Sequence, residues 1–432
     1  MLRRLFPNVY EGWLVAASGG FIIILTTATF LQAFGTIFNP LRDEFGWSAA
    51  SVSLAFSLRS EAGSMAAPVV GVLLDRVGAR RVLIGGLFLA TGGVFLMSFI
   101  QQLWHFYLAM MLIAAGHSGA SGVSGYKATA TWFVKRRSRA MALVSVGAGL
   151  SGILVVGVGW MVDEMGWRAA LRIIAALTLV IALIPALNVR ERPAHHDQPI
   201  DGIDPSPEGT DTAQMSTAAW GIPVRRALRS SSFWMLNLGI ALLDFGSTAL
   251  LVHLIPFVES LGYSKAMASA TLAVFTITTI LGRVGAGFLG DIYENRVVMS
   301  VAMLVTAAGL PILAFASELW QVIGGLMIIA VGFGSTLPVR QAIVADYFGT
   351  KNFGTLNGLS QVSLTFGALF GPLFVGWSLD LTDEYTLGWL VSSLVVGLSV
   401  IAMWAARADT RLISEHQGAA APPDGEPTGN PT

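Results

Sequence analysis

Gly71-Val72-Leu73-Leu74-Asp75-Arg76-Val77-Gly78-Ala79-Arg80-Arg81 is a charged turn pinched between two long apolar runs. It has an echo. Gly287 and Asp291 repeat Gly71 and Asp75 with the same three-residue gap, 216 positions later, which is half of the 432 residues. Pro40 and Pro256, Gly46 and Gly262, Ser48 and Ser264, and Lys135 and Lys351 also stand 216 apart. The chain reads as one unit written twice. An even number of membrane crossings between the copies gives both halves one orientation, a parallel repeat.

The crossings follow from composition. Residues are 54% hydrophobic and 12% charged, against roughly 25% charged in soluble domains, too little polar surface to cover a soluble globule. Zero net charge gives no hint of a nucleic-acid partner, and the absence of cysteine excludes disulfides, thiol catalysis and Cys-based metal sites. The apolar run from Trp13 to Phe38 exceeds a cleavable signal's core of ~7–15 residues and reads as a first spanning helix.

A lipid core takes about 20 helical residues to cross. Runs of that order fall near 13–38, 49–74, 82–100, 105–131, 140–162 and 169–187, then near 232–258, 267–290, 297–316, 319–345, 354–379 and 386–405. Unpaired backbone is very costly in lipid, so each run is expected to be a helix. The predicted fold class is an all-α membrane protein, twelve transmembrane helices in two pseudo-symmetric six-helix bundles, 1–190 and 231–410. Between them 191–230 is a linker whose first part, rich in Asp, Pro, Gly and Ser, is expected to be flexible; the tail 411–432 is expected to be disordered.

Orientation follows from Lys and Arg. Both termini and alternate loops carry 18 of them, including Arg3, Arg76, Lys135, Arg225, Arg296, Lys351 and Arg407; the other side has only Arg42, Arg168, Arg172 and Lys265. That asymmetry predicts cytoplasmic termini and linker, in a cell inner (plasma) membrane. Four basic residues are left inside the spanning runs: Arg59, Lys127, Arg283 and Arg340.

The Gly71-to-Arg81 loop, between the second and third runs and with its echo, resembles the signature loop of the major facilitator superfamily of transporters. The resemblance covers about 13–405. Two further stretches are similar to the monocarboxylate-porter branch, which includes oxalate–formate exchangers: Tyr10-Glu11-Gly12-Trp13 at the first helix, and Trp132-Phe133-Val134-Lys135-Arg136-Arg137-Ser138-Arg139-Ala140 leading into the fifth. The chain departs from that branch in places. Ala142 stands where Gly is usual, Thr279 where animal members carry Asp, and neither helix 1 nor helix 11 has the frequent Lys.

A charge at mid-membrane costs at least about 2.5–3.5 kcal/mol on insertion scales, which makes buried ionisable residues functional candidates. Arg283 lies eight residues before Asp291, roughly 12 Å in from the helix end at 1.5 Å per residue. A guanidinium suits an anion site because it stays charged and presents paired donors, and the resemblance implies that this helix-8 arginine binds a substrate carboxylate. The bland alternative is packing and gating. Asp244, Glu61 and His117 are candidate proton-coupling groups; for Glu61 the alternative is a structural pairing, and for His117 a plain hydrogen bond. Lys127 and Arg340 are candidate cavity cations whose alternative is snorkelling to the interface. Gln361 and Asn357 are candidate liners, as is Tyr126, which the resemblance favours as an aromatic hydroxyl facing substrate.

Asp75, Arg76, Arg80, Arg81, Asp291 and Arg296 are expected to gate, each Asp pairing with arginines and helix ends of the opposite bundle. Glycines 71, 78 and 287 are expected to let backbones approach, and Gly354, Gly358, Gly367 and Gly371 to give helix 11 a close-packing face. The resulting expectation is a secondary transporter, monomeric, that moves a small organic anion, a monocarboxylate by resemblance, with a proton. Efflux of amphipathic compounds or drugs by the same fold is the rival reading. It would want an acidic cavity, whereas the interior charges are four basic against two acidic. No phosphate-cradling loop or helical metal-ligand pair is present, so an enzyme, a cofactor and a metal are not expected.

Overall fold

Lipid-length apolar runs separated by short polar turns leave the backbone no partner but itself, and the chain is helical accordingly. The computed structural model describes residues 9–120, 122–191, 199–202, 220–410 and 413–414. Most of the flexible part expected of the linker, and nearly all of the tail beyond 411, lie outside the described residues. Among the described residues there are twelve long helices: α1 (Glu11–Phe45), α2 (Ala49–Val77), α3 (Ala79–Met97), α4 (Leu103–Trp132), α5 (Arg137–Met165), α6 (Trp167–Asn188), α7 (Ser231–Ser260), α8 (Lys265–Leu289), α9 (Asn295–Ala314), α10 (Leu319–Phe348), α11 (Phe353–Thr382) and α12 (Thr386–Ala405).

Among the described residues eleven of these are long and apolar enough to cross a membrane. The exception is α2. At 29 residues it is long enough, but it carries Arg59, Glu61, Asp75 and Arg76, and it packs between α4 and α11 rather than against lipid alone. It completes the twelve.

The halves pack alike. In the first, α1 lies on α5, α2 and α3 on α4, and α3 on α6; in the second, α7 lies on α11, α8 and α9 on α10, and α9 on α12. The bundles meet through α2 with α11 and α5 with α8, contacts that exchange under the same repeat. The sequence echoes have physical causes. Ser48 and Ser264 each cap the next helix, their hydroxyls accepting from the Ser51 and Met267 amides at 3.1 and 3.4 Å. Gly46 and Gly262 hold φ of 67° and 89° in the turns just before, a region that costs other residues strain. Pro40 and Pro256 both sit inside the outer ends of their helices.

The α2–α11 crossing is a backbone contact. A side chain on Gly71 would run into the Gly354 carbonyl, and one on Gly358 into Ala67. Gly78 differs from the close approach expected of it: only the Glu191 side chain lies near, and its φ of 95° makes it the hinge between α2 and α3. Farther along α11, Gly367 and Gly371 meet Ala241 and Phe245 of α7, inside the second bundle.

One helix therefore presents small residues to two different partners. Gly371→Ala should overpack the α7–α11 seam, by about 1–3 kcal/mol, and lower the melting temperature without loosening the bundle interface. Gly358→Ala should also speed hydrogen exchange at the Gly354 and Thr355 amides, which lie on that interface. Equal exchange in the two variants would contradict this division.

Candidate functional site

Asp75 ends α2 on the face where the linker lies, within reach of the start of α11. Its carboxylate accepts from the Gly354 and Thr355 amides at 2.9 and 2.7 Å and from the Thr355 hydroxyl at 2.6 Å. The first amides of a helix have no partner within it, and an anion there also meets the positive end of the helix dipole. The cation beside Asp75 is Lys127, whose Nζ lies 3.0 Å from it and also donates to the Leu74 carbonyl at 2.8 Å. Both side chains are under 10% exposed. Lys127, read as a cavity cation, thus belongs to this contact, because its ammonium finds its counter-charge within its own bundle. Arg76, Arg80 and Arg81 differ from the expected pairing: they are exposed, and none makes an ion pair among the described residues.

Asp291 mirrors this at the second seam. It accepts from the Ser138 and Arg139 amides at the start of α5, at 2.9 and 3.4 Å, and pairs with Arg139 at 2.6 Å. Ser138 reaches Asn295 at 2.9 Å, Asn295 donates to Asp346 at 2.9 Å, and Arg137 pairs with Asp346. Arg296 stays out of this network, held by Glu294 at 3.2 Å and stacked on Trp404 within its own bundle. Burial holds the Asp291 carboxyl above the usual carboxylate range, against the opposing pull of the Ser138 amide and Arg139.

The linker grips both loops next to these contacts. Asp201 accepts from the Val134, Lys135 and Arg136 amides at 3.1, 2.9 and 3.1 Å, while the Trp220 carbonyl accepts from the Thr350 and Lys351 amides at 2.9 and 3.1 Å. The echo of Lys135 in Lys351 marks this pair of staples. Tyr10 packs edge-on against Trp132 and Phe133, and its hydroxyl lies 2.9 Å from the Pro199 carbonyl. Burial, helped by the Asp201 charge, pushes that hydroxyl's pKa up and keeps it a donor. Sequence reasoning named the Tyr10 and Trp132 motifs, Arg137 and Arg139 among them, without a role and missed Asp201, Asn295 and Asp346.

Deeper in, Tyr126 on α4, Arg283 on α8, Arg340 on α10 and Asp244 on α7 form an electrostatic group. Tyr126 is 4% exposed, and its hydroxyl has no protein partner; the charges of Arg283 and Arg340 both act on it. Arg340 and Asp244 act on each other without forming a salt bridge. One terminal nitrogen of Arg283 donates to the Ser145 carbonyl of α5, across the bundle interface, and its Nε has no partner. A guanidinium has five donor hydrogens, so this contact leaves others for a ligand.

His117, Asn357 and Gln361 lie elsewhere. With Arg59 they line a cavity of about 280 Å³ between α1, α2, α4 and α11. Arg59, one of the four interior basic residues, was given no site role from the sequence. The side chain of Glu61 lies outside the described residues. Among the described residues no three His, Cys, Asp or Glu side chains converge as a metal site requires.

The sequence model of the Major Facilitator Superfamily matches residues 20–267 and 235–424. Monocarboxylate transporter 13 of Rattus norvegicus is 27% identical over 402 residues, covering 91% of this chain and 89% of its own. Monocarboxylate transporter 11 of Homo sapiens is 27% identical over 410 residues, covering 91% and 83%. Among solved structures, the major facilitator transporter FucP in the outward conformation superposes with a TM-score of 0.70 at 16% identity, over 92% of this chain and 99% of that one.

Asp75 and Asp291 account for most of the polar contact between the bundles on the linker face. Asp75→Asn should slow transport while ligand affinity survives, but it also strips Lys127 of its counter-charge. Thr355→Val is the cleaner variant. It removes one charge-assisted hydrogen bond, worth roughly 1.5–3 kcal/mol, and should raise the population with the linker face open while leaving affinity unchanged. Lost affinity with unchanged exchange between conformations would contradict the assignment.

Proposed function

The chain belongs to the major facilitator superfamily and is a multi-pass membrane transporter, not an enzyme, and on that premise we propose that it moves a small organic monoanion, a monocarboxylate, together with a proton. The observation that carries this reading is Arg283: a buried guanidinium at the bundle interface, with donors to spare, grouped with Tyr126 and Arg340. The names of the monocarboxylate relatives support the same class.

The linker face is the cytoplasmic one, by the excess of Lys and Arg on it, and the membrane is the plasma (inner) membrane. With Asp75 and Asp291 engaged, that face is shut, the state that the likeness to an outward-conformation structure supports. An anion arriving from the opposite side meets Arg283, whose remaining donors fit the two oxygens of a carboxylate, while the Tyr126 hydroxyl donates a further hydrogen bond. Binding draws α8 toward the first bundle through a ligand that also touches α4. Asp244 is the proton group. Ionised, it attracts Arg340 and opposes an anion; protonated, it leaves the Arg340 charge to the substrate. Proton and anion thus favour each other's binding, the requirement for symport.

Labelled C2 to C6 monocarboxylates offered to proteoliposomes with an imposed pH gradient test the class. Arg283→Lys keeps the charge but loses the planar fork, and should weaken affinity by about tenfold or more, with Ala worse, about 1.4 kcal/mol being a factor of ten. Near-normal affinity in well-folded variants would reduce Arg283 to its bond with Ser145. Asp244→Asn should abolish uptake driven by the pH gradient while counterflow persists; retained acceleration by the gradient would remove the proton role from this residue.

A further inference from the structure

Two helices that meet the opposite bundle, α5 and α11, begin without a cap of their own. A helix start is usually satisfied by the side chain of its N-cap residue, whose oxygen accepts from the second or third amide inside. Arg136 holds that position for α5 and has no such oxygen. Asn352, 216 residues later, holds it for α11 and makes no side-chain cap, its amide donating instead to the Ile222 carbonyl at 2.9 Å. The capping oxygens come from the other bundle. Asp291 accepts from the Ser138 and Arg139 amides, and Asp75 from those of Gly354 and Thr355, the second and third residues of each helix. Each helix start therefore loses its cap when the bundles part on this face.

At α5 the amides just outside the helix are held from the linker. Asp201 accepts from Val134, Lys135 and Arg136 in a row, the arrangement of an anion nest. The next three residues reach the second bundle: Arg137 to Asp346, Ser138 to Asn295 and Asp291, Arg139 to Asp291. The Asp201 carboxylate is built into place. It is 5% exposed, and its own φ of 60° and the Gly202 φ of 65° put two successive residues in the left-handed region, uncommon for one with a side chain. Tyr10 fixes this turn: its hydroxyl lies 2.9 Å from the Pro199 carbonyl and 3.1 Å from that of Trp132, and a side chain on Gly202 would run into its ring. The mate loop is held more weakly. The Trp220 carbonyl that accepts from Thr350 and Lys351 is neutral, and a hydrogen bond to an ionised group is roughly twice as strong as one between neutral groups.

We propose that Asp201 is a positioning residue of the transport cycle, keeping the start of α5 in the geometry that captures Asp291. When the bundles part, Asp291 withdraws from Ser138 and Arg139. Asp201 stays, because Tyr10 and the α4–α5 loop that hold it belong to the same bundle as α5. The three amides it grips keep the turn from fraying, so the two amides that follow still face the returning carboxylate, and closure orders no new backbone. Without Asp201 the loop samples other conformations while the face is open, and closing has to order it again. Loss of Asp201 therefore lowers the closed population through the α5–α8 seam and leaves the α2–α11 seam as it is. This inference rests on the Asp75 and Asp291 contacts and not on which anion is carried.

Spin labels at Arg80→Cys and Lys351→Cys, both exposed and on opposite bundles, report the separation of the bundles in full-length protein in lipid nanodiscs, with no substrate added. In the Asp75→Asn background, Asp201→Ala should raise the ratio of long- to short-distance populations by about fivefold or more. In the Asp291→Ala background it should add little, because the amides it positions have lost their partner there. Asp201→Asn, which keeps one acceptor oxygen and loses the charge, should give the same pattern at smaller amplitude and decides the matter if Asp201→Ala does not fold. Equal increments in the two backgrounds would reduce Asp201 to an anchor for the linker, and no shift in either would deny it any part in closure; both outcomes overturn the proposal. A distribution unmoved by Asp291→Ala itself would remove the contact that Asp201 serves, and the proposal with it.

Discussion

A carboxylate at the start of another element's helix is what joins the two bundles on the linker face. Asp75 holds the first amides of α11, and Asp291 those of α5. Each contact depends on small residues beneath it, since Gly71 and Gly354 in one seam, and Gly287 against Ala142 in the other, bring the backbones close enough for a short side chain to reach. Hydrogen bonds to a charged acceptor are worth roughly 1.5–3 kcal/mol each, enough for a few to decide between two conformations and few enough to be broken in a cycle. The two seams are not equivalent. Lys127 is buried with Asp75 inside one bundle and stays with it when the bundles part, whereas Arg139 reaches Asp291 from the other bundle and loses it.

The repeat explains why these contacts come in pairs, and the linker extends the pairing. Asp201 and the Trp220 carbonyl hold the α4–α5 and α10–α11 loops by their backbone amides. Those loops deliver the helix starts that Asp291 and Asp75 grip. The first residues of α1 join the same assembly through Tyr10, Trp13 and Phe133. The motif Tyr10-Glu11-Gly12-Trp13 is therefore structural: Gly12 has the Tyr10 and Phe133 rings against it, and Glu11 pairs with Arg190 at 2.9 Å.

The helices were legible in the sequence because lipid imposes a length and a composition that few other constraints imitate. The repeat was legible because caps and turns demand particular residues: Ser48, Ser264, Gly46 and Gly262 could be matched by offset alone. The partners of Asp75 and Asp291 were not. Helix ends of the opposite bundle were the expected kind of partner, but hydrogen bonds to backbone amides leave no trace in residue type, so the Gly354 and Thr355 amides themselves could not be named. Lys127 and Arg340 looked equivalent by position. The difference between them lies in neighbours on other helices, Asp75 for one and Asp244 for the other, which periodicity does not encode. Arg59 was counted among the interior cations but given no cavity role for the same reason, since its cavity is assembled from four separate helices.

Interior charge is arranged in layers along the path between the bundles: Arg59 with His117, then Arg283 and Arg340 with Tyr126 and Asp244, then the paired Asp contacts at the linker face. The last layer must break for that face to open. Spin labels at Lys135→Cys and Lys351→Cys, both exposed, on opposite bundles and in an otherwise cysteine-free chain, report this opening as a distance distribution. A single short population should dominate with both aspartates intact, and the Asp75→Asn, Asp291→Asn double variant should populate a distinctly longer one. An unchanged distribution in a well-folded double variant would contradict the claim that these two carboxylates hold the bundles together.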